Sequence, residues 1–438
     1  MRAQISNAAY GLLDYAAYPV IMLVATPTLL HHLGLAAYGV WLIANAAVGA
    51  GSTVSSGFGD AVIQRVATLR ATGDLDAIRK VIANMLAINL VLGSALAIAL
   101  WILIPFVTGR ITHFDPALRE PCLWSLRIGA VLILLKSVES VFISSQRAYE
   151  RYAPAVRISI ATRILATMLC VAFAVNGYGI PTLMGATSAV VICGIVAQWA
   201  ALRHLGIGVF VPALDRATYR DLSSFGVFSW LQAISGVLFS QADRLLLGVT
   251  LGASAVSYYG VAVQIAQPIH GLTAAGLHFL FPHFAMRFAA SDISRSRRPV
   301  LLALSLNVLM AVTLSGIAIL LGPPLLSRWI GTGFAAQTSA LLPFLAIGFA
   351  FLALNVTGHY TLLALGRVRL VTALNVAGGI AMLIAMTPLI RRFGIQGAAM
   401  ARLCYGPITC LLYLPLLRLL CKLPSTSVQP IHIATEGA

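Results

Sequence analysis

Charge is what this chain has least of. Asp, Glu, Lys and Arg make up 10% of its 438 residues, hydrophobic types make up 59%, and mean hydropathy is +0.91. So little polar surface excludes a soluble particle of this size. Acids are scarcer than bases, 13 against 29, which leaves a net charge of +16. Cysteine is sparse and unpatterned: Cys122, Cys170, Cys193, Cys404, Cys410 and Cys421 lie inside or beside apolar segments, without CxxC spacing or a folded extracytoplasmic domain to staple. That excludes a disulfide framework and leaves them as packing residues. The nine histidines form no HExxH and no close Cys/His cluster, so His270, His278 and His283, all on one apolar segment, read as cavity or packing groups. No metal and no other cofactor is expected. A GxxxxGK[ST] motif is missing too, which removes a bound nucleotide as the source of energy.

What the sequence has instead is apolar length. Twelve segments, roughly 8–33, 38–63, 81–108, 121–146, 154–176, 179–202, 222–249, 255–286, 299–322, 338–364, 370–390 and 394–420, are each long enough to cross a bilayer, since about 20 residues of helix span the hydrocarbon core. The expected fold class is an all-α polytopic membrane protein with about twelve transmembrane helices. Its cations sort between alternate gaps. With both termini cytoplasmic, the inside gaps hold nineteen: Arg2; Arg65, Arg70, Arg79, Lys80; Arg147, Arg151, Arg157; Arg203, Arg216, Arg220; Arg287, Arg295, Arg297, Arg298; Arg367, Arg369; Arg418 and Lys422. The outside gaps hold five, Arg110, Arg119, Arg328, Arg391 and Arg392. This asymmetry fits the positive-inside rule, with the Arg391-Arg392 pair as the local dissent. The cations are spread over seven short cytoplasmic pieces rather than gathered on one folded face, which excludes a nucleic-acid partner and sets the loops beside anionic inner-leaflet lipids. The first segment starts near residue 8 and shows no small-x-small cleavage site, so it reads as an uncleaved anchor.

An internal repeat, at an offset of about 218 residues, divides the chain between the sixth and seventh segments. Leu33-Gly34-Leu35-Ala36-Ala37-Tyr38-Gly39 is echoed by the longer run from Leu251-Gly252 to Tyr259-Gly260. Gln146-Arg147-Ala148-Tyr149-Glu150-Arg151 sits where Gly366-Arg367-Val368-Arg369 sits in the second copy. Gly177-Tyr178-Gly179-Ile180 matches Arg392-Phe393-Gly394-Ile395, and Met184-Gly185-Ala186 matches Gly397-Ala398-Ala399. Six spans separate the copies, so both halves enter the membrane from the same side, and parallel halves of this kind rock about a central site. The expected organisation is an N-terminal six-helix lobe over 1–210, a cytoplasmic linker over 211–221, a C-terminal six-helix lobe over 222–421 and a cytoplasmic tail over 422–438. Pro19 and Pro27 in the first span, the glycine-rich run 49–59 in the second, and Pro268 with Pro282 in the eighth stand where hinges are needed. Gly and Pro are also common in membrane helices that do not bend.

Five bases belong to no loop: Arg127, Lys136, Arg163, Arg244 and Arg402. Four acids join them: Asp14, Asp60, Glu139 and Asp243. Each costs roughly 2.5–3.5 kcal/mol at a lipid-exposed helix centre, so all are expected to face the bundle interior or a watery cavity. Arg127, Arg244 and Asp60 lie within about two turns of a segment end and can snorkel; Lys136, Glu139 and Arg163 lie deeper. Lys136 and Glu139, three apart on one helical face, suit a structural ion pair as well as a substrate contact. Asp243 and Arg244 are neighbours with diverging side chains, so each needs a partner elsewhere. The five cations form the candidate substrate-binding set, and the four acids are candidate ion-coupling or cavity groups. A cationic surplus in a low-dielectric wall suits an anionic substrate with an apolar part, such as a lipid-linked pyrophosphate, while Asp14 or Glu139 suits a coupling proton or sodium ion.

Three sets of short motifs follow in order along the chain. Leu33-Gly34 through Tyr38-Gly39-Val40-Trp41 leads to Gly57-Phe58-Gly59-Asp60, Gln64-Arg65, Gly73-Asp74 and Arg79-Lys80. Asp243-Arg244-Leu245-Leu246-Leu247-Gly248 precedes Val256, Tyr258 and Tyr259, and Phe393-Gly394-Ile395-Gln396-Gly397-Ala398 closes the series. In these the chain resembles the polysaccharide and O-antigen flippase family (Wzx-like), of the MOP superfamily that also holds the MATE drug exporters and the lipid II flippases. The resemblance implies a MATE-like fold of two six-helix lobes about a central cavity that opens to either side in turn. It further implies movement of undecaprenyl-pyrophosphate-linked oligosaccharide across the bacterial inner membrane for surface polysaccharide biosynthesis, with membrane lipids and a polysaccharide polymerase or ligase as further partners. The family carries no catalytic motif, so no catalytic residue and no enzyme activity is expected. A MATE-type ion-coupled drug exporter shares the fold but takes cationic substrates into an acid-rich cavity. A membrane glycan polymerase or ligase needs a large periplasmic loop or a catalytic constellation, and the outside gaps near 109–120 and 323–337 are short.

Overall fold

The computed structural model describes residues 2–204, 211–215, 230–277 and 297–421, and among these every regular element is helical. The N-terminal half contains α1 (Arg2–Leu33), α2 (Leu35–Ser55), α3 (Gly59–Thr72), α4 (Leu75–Ile111), α5 (Arg119–Ala148), α6 (Tyr152–Val175) and α7 (Ile180–Arg203). The C-terminal half contains α8 (Trp230–Ser240), α9 (Ala242–Leu251), α10 (Ala253–Leu277), α11 (Arg297–Trp329), α12 (Thr332–Ser339), α13 (Leu342–Ala364), α14 (Val368–Phe393), α15 (Ile395–Ala401), α16 (Tyr405–Cys410) and α17 (Tyr413–Cys421). The linker beyond residue 215 and the tail from 422 lie outside the described residues. Among the described residues eight helices qualify by length and apolar composition as membrane crossings, and the bent pair α8–α9 makes nine. The expected twelve is not reached by that measure. One reason is α5, which has 30 residues but carries Arg127, Lys136, Glu139 and five serines along its length.

The breaks do not fall at the prolines expected to act as hinges. α1 runs unbroken through Pro19 and Pro27, and α10 runs through Pro268 to Leu277; Pro282 lies outside the described residues. The second apolar segment does break, inside the glycine-rich run: α2 stops at Ser55 and α3 starts at Gly59. Asp60 therefore opens α3 rather than closing the second span. Two further breaks were not legible. α8 and α9 meet at 40° across Gln241, and the last segment passes through a 3₁₀ turn at Arg402–Cys404. Pro407 accounts for the second, because it has no N–H for the carbonyl of Leu403 and its ring crowds that carbonyl.

In the N-terminal half α5 packs on α2, α4 and α7, and α6 on α1 and α7. In the C-terminal half α13 packs on α10 and α11, and α14 on α15 and α16. The halves meet where α2 lies against α9 and α10, α1 against α10, and α4 against α9. This seam depends on glycine. A Cβ on Gly39 would lie 1.9 Å from the Ala253 carbonyl oxygen, and Gly248 and Gly260 receive Ile43 and Leu42 of α2. Beside them Ser257 Oγ donates to the Leu35 carbonyl at 2.6 Å, Thr26 Oγ1 donates to Gln264 Oε1 at 3.0 Å, and Gln264 Nε2 donates to the Tyr38 hydroxyl at 3.3 Å. Small residues that admit close backbones, with a few hydrogen bonds, are what joins helices where lipid removes the hydrophobic drive.

Two of the repeat matches are the same turn in both halves. Gly34 (φ 81°, ψ 165°) and Gly252 (φ 80°, ψ 177°) each donate to the carbonyl four residues back, Leu30 and Gly248. After α5, Arg151 N–H donates to Gln146 O and Glu150 N–H to Arg147 O; after α13, Arg367 N–H donates to Leu362 O and Gly366 N–H to Leu363 O. Both are Schellman closures, with Glu150 (φ 59°) standing where the second copy has Gly366 (φ 73°). The third match diverges, since Gly179 has φ −80° and Gly394 has φ 58°.

Candidate functional site

The two unforeseen breaks are joined to each other. Phe239 lies in the last turn of α8, where carbonyls lack helical partners, and Arg402 Nη2 donates to its carbonyl at 2.8 Å. The same guanidinium holds Asp243 Oδ2, through Nη2 at 2.7 Å and Nε at 3.0 Å, while the Tyr259 hydroxyl donates to that oxygen at 2.6 Å. Asp243 Oδ1 accepts the Arg244 backbone N–H at 2.8 Å. The rings of Phe239 and Phe349 lie 4.4 and 4.6 Å from the guanidinium carbon, and the two charged side chains are each 1% exposed. Arg402 Nη1, among those rings, has no hydrogen-bond acceptor among the described residues. So the acid and one of the cations placed on opposite sides of the candidate set neutralise each other inside the C-terminal half.

Arg244 goes the other way. It is half-buried on α9, with a buried Nε that has no hydrogen-bond acceptor among the described residues. Three residues before it, Gln241 lies against Gly49 of α2, and four residues after it, Gly248 lies against Ile43 of α2. Residues three and four apart share a helix face, which sets Arg244 on the seam between the halves.

In the N-terminal half Lys136 Nζ donates to Glu139 Oε2 at 2.9 Å, with the side chains 33% and 6% exposed. Glu139 Oε1 points toward Gly194 of α7 and Thr162 of α6, inside the lobe. Lys136 remains open enough to reach a second anion. The exchange Lys136→Glu with Glu139→Lys tests how closely the two depend on each other. Lys136→Glu alone sets two carboxylates one turn apart and is expected to lower the yield of folded, detergent-extracted protein several-fold, with Glu139→Lys restoring it. Failure of the second change to restore it would show that Lys136 is held by something else. Arg163 is half-buried on α6. Arg127 stands apart from the seam, against Trp101 and Trp124. Asp14 lies on α1 and Asp60 on α3, with side chains outside the description. Among the described residues no group of three or more His, Cys, Asp or Glu is placed to hold a metal ion.

Residues 6–288 match the family described as polysaccharide biosynthesis protein. The chain belongs to that family. Among its relatives, the "Putative O-antigen transporter" of Shigella flexneri is 21% identical over 401 residues, covering 91% of this chain and 93% of that protein. The "Teichuronic acid biosynthesis protein TuaB" of Bacillus subtilis is 25% identical over 324 residues, 71% of this chain and 60% of that protein. Two solved structures give the fold. A lipid II flippase, MurJ, in an inward closed conformation superposes with TM-score 0.71 at 14% identity, covering 95% of this chain and 86% of that one. An inward-facing multidrug resistance MATE transporter of the MOP superfamily superposes with TM-score 0.68 at 13% identity, covering 93% and 94%. This member of the polysaccharide biosynthesis family is a multi-pass membrane protein with the two-lobe MATE-like architecture.

Several uncharged polar groups join helices within each lobe. Asn89 Nδ2 on α4 donates to the Ser137 carbonyl and to Ser140 Oγ of α5, and Ser137 Oγ meets Ser55 Oγ of α2 at 2.6 Å. Gln146 Nε2 donates to Gln198 Oε1 at 2.6 Å, and Asn307 Nδ2 to Thr357 Oγ1 at 2.8 Å. The signal was present, because an amide inside an apolar segment needs a partner as surely as a charge does. Tyr259, Phe239 and Phe349 gave no such signal, since an aromatic in an apolar run looks like any packing residue.

Proposed function

We propose that this chain is an alternating-access flippase that carries an undecaprenyl-pyrophosphate-linked oligosaccharide from the cytoplasmic to the outer leaflet of the bacterial inner membrane, unmodified, for surface polysaccharide assembly. The observation that carries this reading is Arg244: a half-buried guanidinium on the seam between two lobes, with a buried donor left unfilled, in a member of the polysaccharide biosynthesis family. A guanidinium suits a pyrophosphate, which accepts paired N–H donors. Lys136 and Arg163, half-buried in the N-terminal lobe, are the further candidate contacts, with a coupling ion, the membrane potential or downstream polymerisation giving direction.

The reading fixes a topology, with both termini inside and the turns at Gly34 and Gly252 outside. Reporter fusions at Leu214 and Ser254 are expected to report opposite sides of the membrane. The same side for both would remove the parallel lobes. Arg244→Gln is expected to lower surface polysaccharide at least about ten-fold, the loss of one charge-assisted contact, with completed lipid-linked units accumulating on the cytoplasmic leaflet. Units that reach the periplasm unpolymerised would make the protein an enzyme of assembly instead. Normal polysaccharide with raised drug sensitivity would make it an exporter.

A further inference from the structure

Arg127 is built into a different surface from the one just described. On α5 its guanidinium carbon lies 5.0 Å over the ring of Trp124, one turn back, and 5.2 Å over the ring of Trp101 on α4. Both indoles are 47% exposed, and around them Ile98, Ile102 and Phe106 of α4 and Val131 of α5 are exposed as well. Apolar side chains open on the outside of a membrane helix face acyl chains. Arg127 therefore stands at the lipid-facing surface, eight residues into α5 and so about 12 Å from its start.

Two facts decide what such a cation does there. Side chains on a helix lean toward its N-terminus, which for α5 is the end that carries exposed Arg119 and adjoins exposed Arg110 on α4. Arg127 thus leans from the acyl region toward the head groups; Asp115 and Glu120 stand at the tip of the hairpin, about 10 Å or more farther out. Secondly, the two indole rings beside the guanidinium carbon, at 5.0 and 5.2 Å, attract its charge but accept none of its N–H donors, which lie in its own plane. Among the described residues no side chain or carbonyl accepts from it. A planar cation held between helices by aromatic rings, with its donors unfilled among the described residues, is complementary to an oxyanion that takes two donors at once.

We propose that Trp101, Trp124 and Arg127 form a binding site for the phosphate of an anionic phospholipid, seated against the α4–α5 surface. The lipid's acyl chains lie along Ile98, Ile102 and Val131, and its phosphate bridges the donors of Arg127. The site stands independently of the transport reading, since it uses no residue of the seam.

The test uses the purified full-length protein, stripped of lipid and titrated with phosphatidylglycerol or phosphatidylcholine, with bound lipid counted by native mass spectrometry. Wild type is expected to retain phosphatidylglycerol over phosphatidylcholine by about ten-fold, because the choline ammonium already compensates the phosphate that Arg127 would pair with, and Arg127→Gln is expected to bring the two near parity. An unchanged preference in Arg127→Gln overturns the site. If that variant does not fold, Trp101→Leu with Trp124→Leu decides, because it keeps the charge and removes the rings that hold it; an unchanged preference there overturns the site equally. Geranyl pyrophosphate that displaces phosphatidylglycerol from wild type would assign Arg127 to a prenyl pyrophosphate and overturn the phospholipid.

Discussion

Arg402→Met is expected to leave little folded protein in the membrane, and so is Asp243→Leu. Each change strands the other charge among Phe239, Phe349 and Tyr259, where no water reaches it and both partners are 1% exposed. Removing one member of a buried pair costs about 3–5 kcal/mol, because the remaining charge is left uncompensated. Here the loss goes further. Without the guanidinium the Phe239 carbonyl at the end of α8 also loses its donor, and the break between α8 and α9 loses its tie to the 3₁₀ turn in the last span. The double change, Asp243→Leu with Arg402→Met, removes both charges and replaces them by apolar groups of similar size, which is often neutral for a buried pair. It is therefore expected to fold better than either single variant, though the Phe239 carbonyl and the Tyr259 hydroxyl still lack partners. Thermal unfolding in detergent and the monodisperse fraction on size exclusion read all three. Single variants as stable as wild type would show that the pair does not hold the two breaks together.

That pair also marks how far the sequence carries. Lys136 and Glu139 are readable as a pair because they are one helical turn apart, and helix geometry settles their meeting before any tertiary contact is known. Asp243 and Arg402 are separated by 159 positions, so the sequence shows two intramembrane charges of opposite sign without showing that they meet. The expectation that Asp243 needs a partner beyond its neighbour is met by a residue first placed on the substrate side. The repeat is legible where glycine is required for φ > 0, at Gly34 and Gly252. It is half-hidden after α5, where Glu150 takes the conformation for which the second copy uses Gly366. Helix breaks are the least legible. Pro19, Pro27 and Pro268 are accommodated in continuous helices, whereas the bend at Gln241 occurs with no proline near it. Membrane helices tolerate proline when neighbours satisfy the freed carbonyl, so the residue type alone cannot place the bend.

Gly39→Ala is expected to hold the transporter open at the end of the bundle proposed to be outer. α2 and α10 approach so closely there that an added methyl carbon would lie 1.9 Å from the Ala253 carbonyl oxygen, 2.5 Å from its carbon and 2.9 Å from Ser257 Oγ. A backbone carbonyl inside α10 cannot swing aside as a side-chain tip can, so the helices must separate, and with them the Ser257 bond to Leu35 and the Thr26, Gln264 and Tyr38 bonds beside it. Overpacking of this kind costs about 1–3 kcal/mol in a close-packed interface, which shifts the balance between closed and open by about 5- to 150-fold. A carrier that alternates needs both states within reach, so a shift of that size is expected to slow export several-fold while leaving insertion intact. Ser257→Cys, in a background without the native cysteines, reports the state directly, because the side chain is buried against α2 when this end is closed. An impermeant maleimide applied from outside is expected to label it slowly in the parent and about 5- to 150-fold faster with Gly39→Ala. Equal labelling together with full export would mean that α2 and α10 slide past the added methyl, and that the glycine seam packs the lobes without gating them.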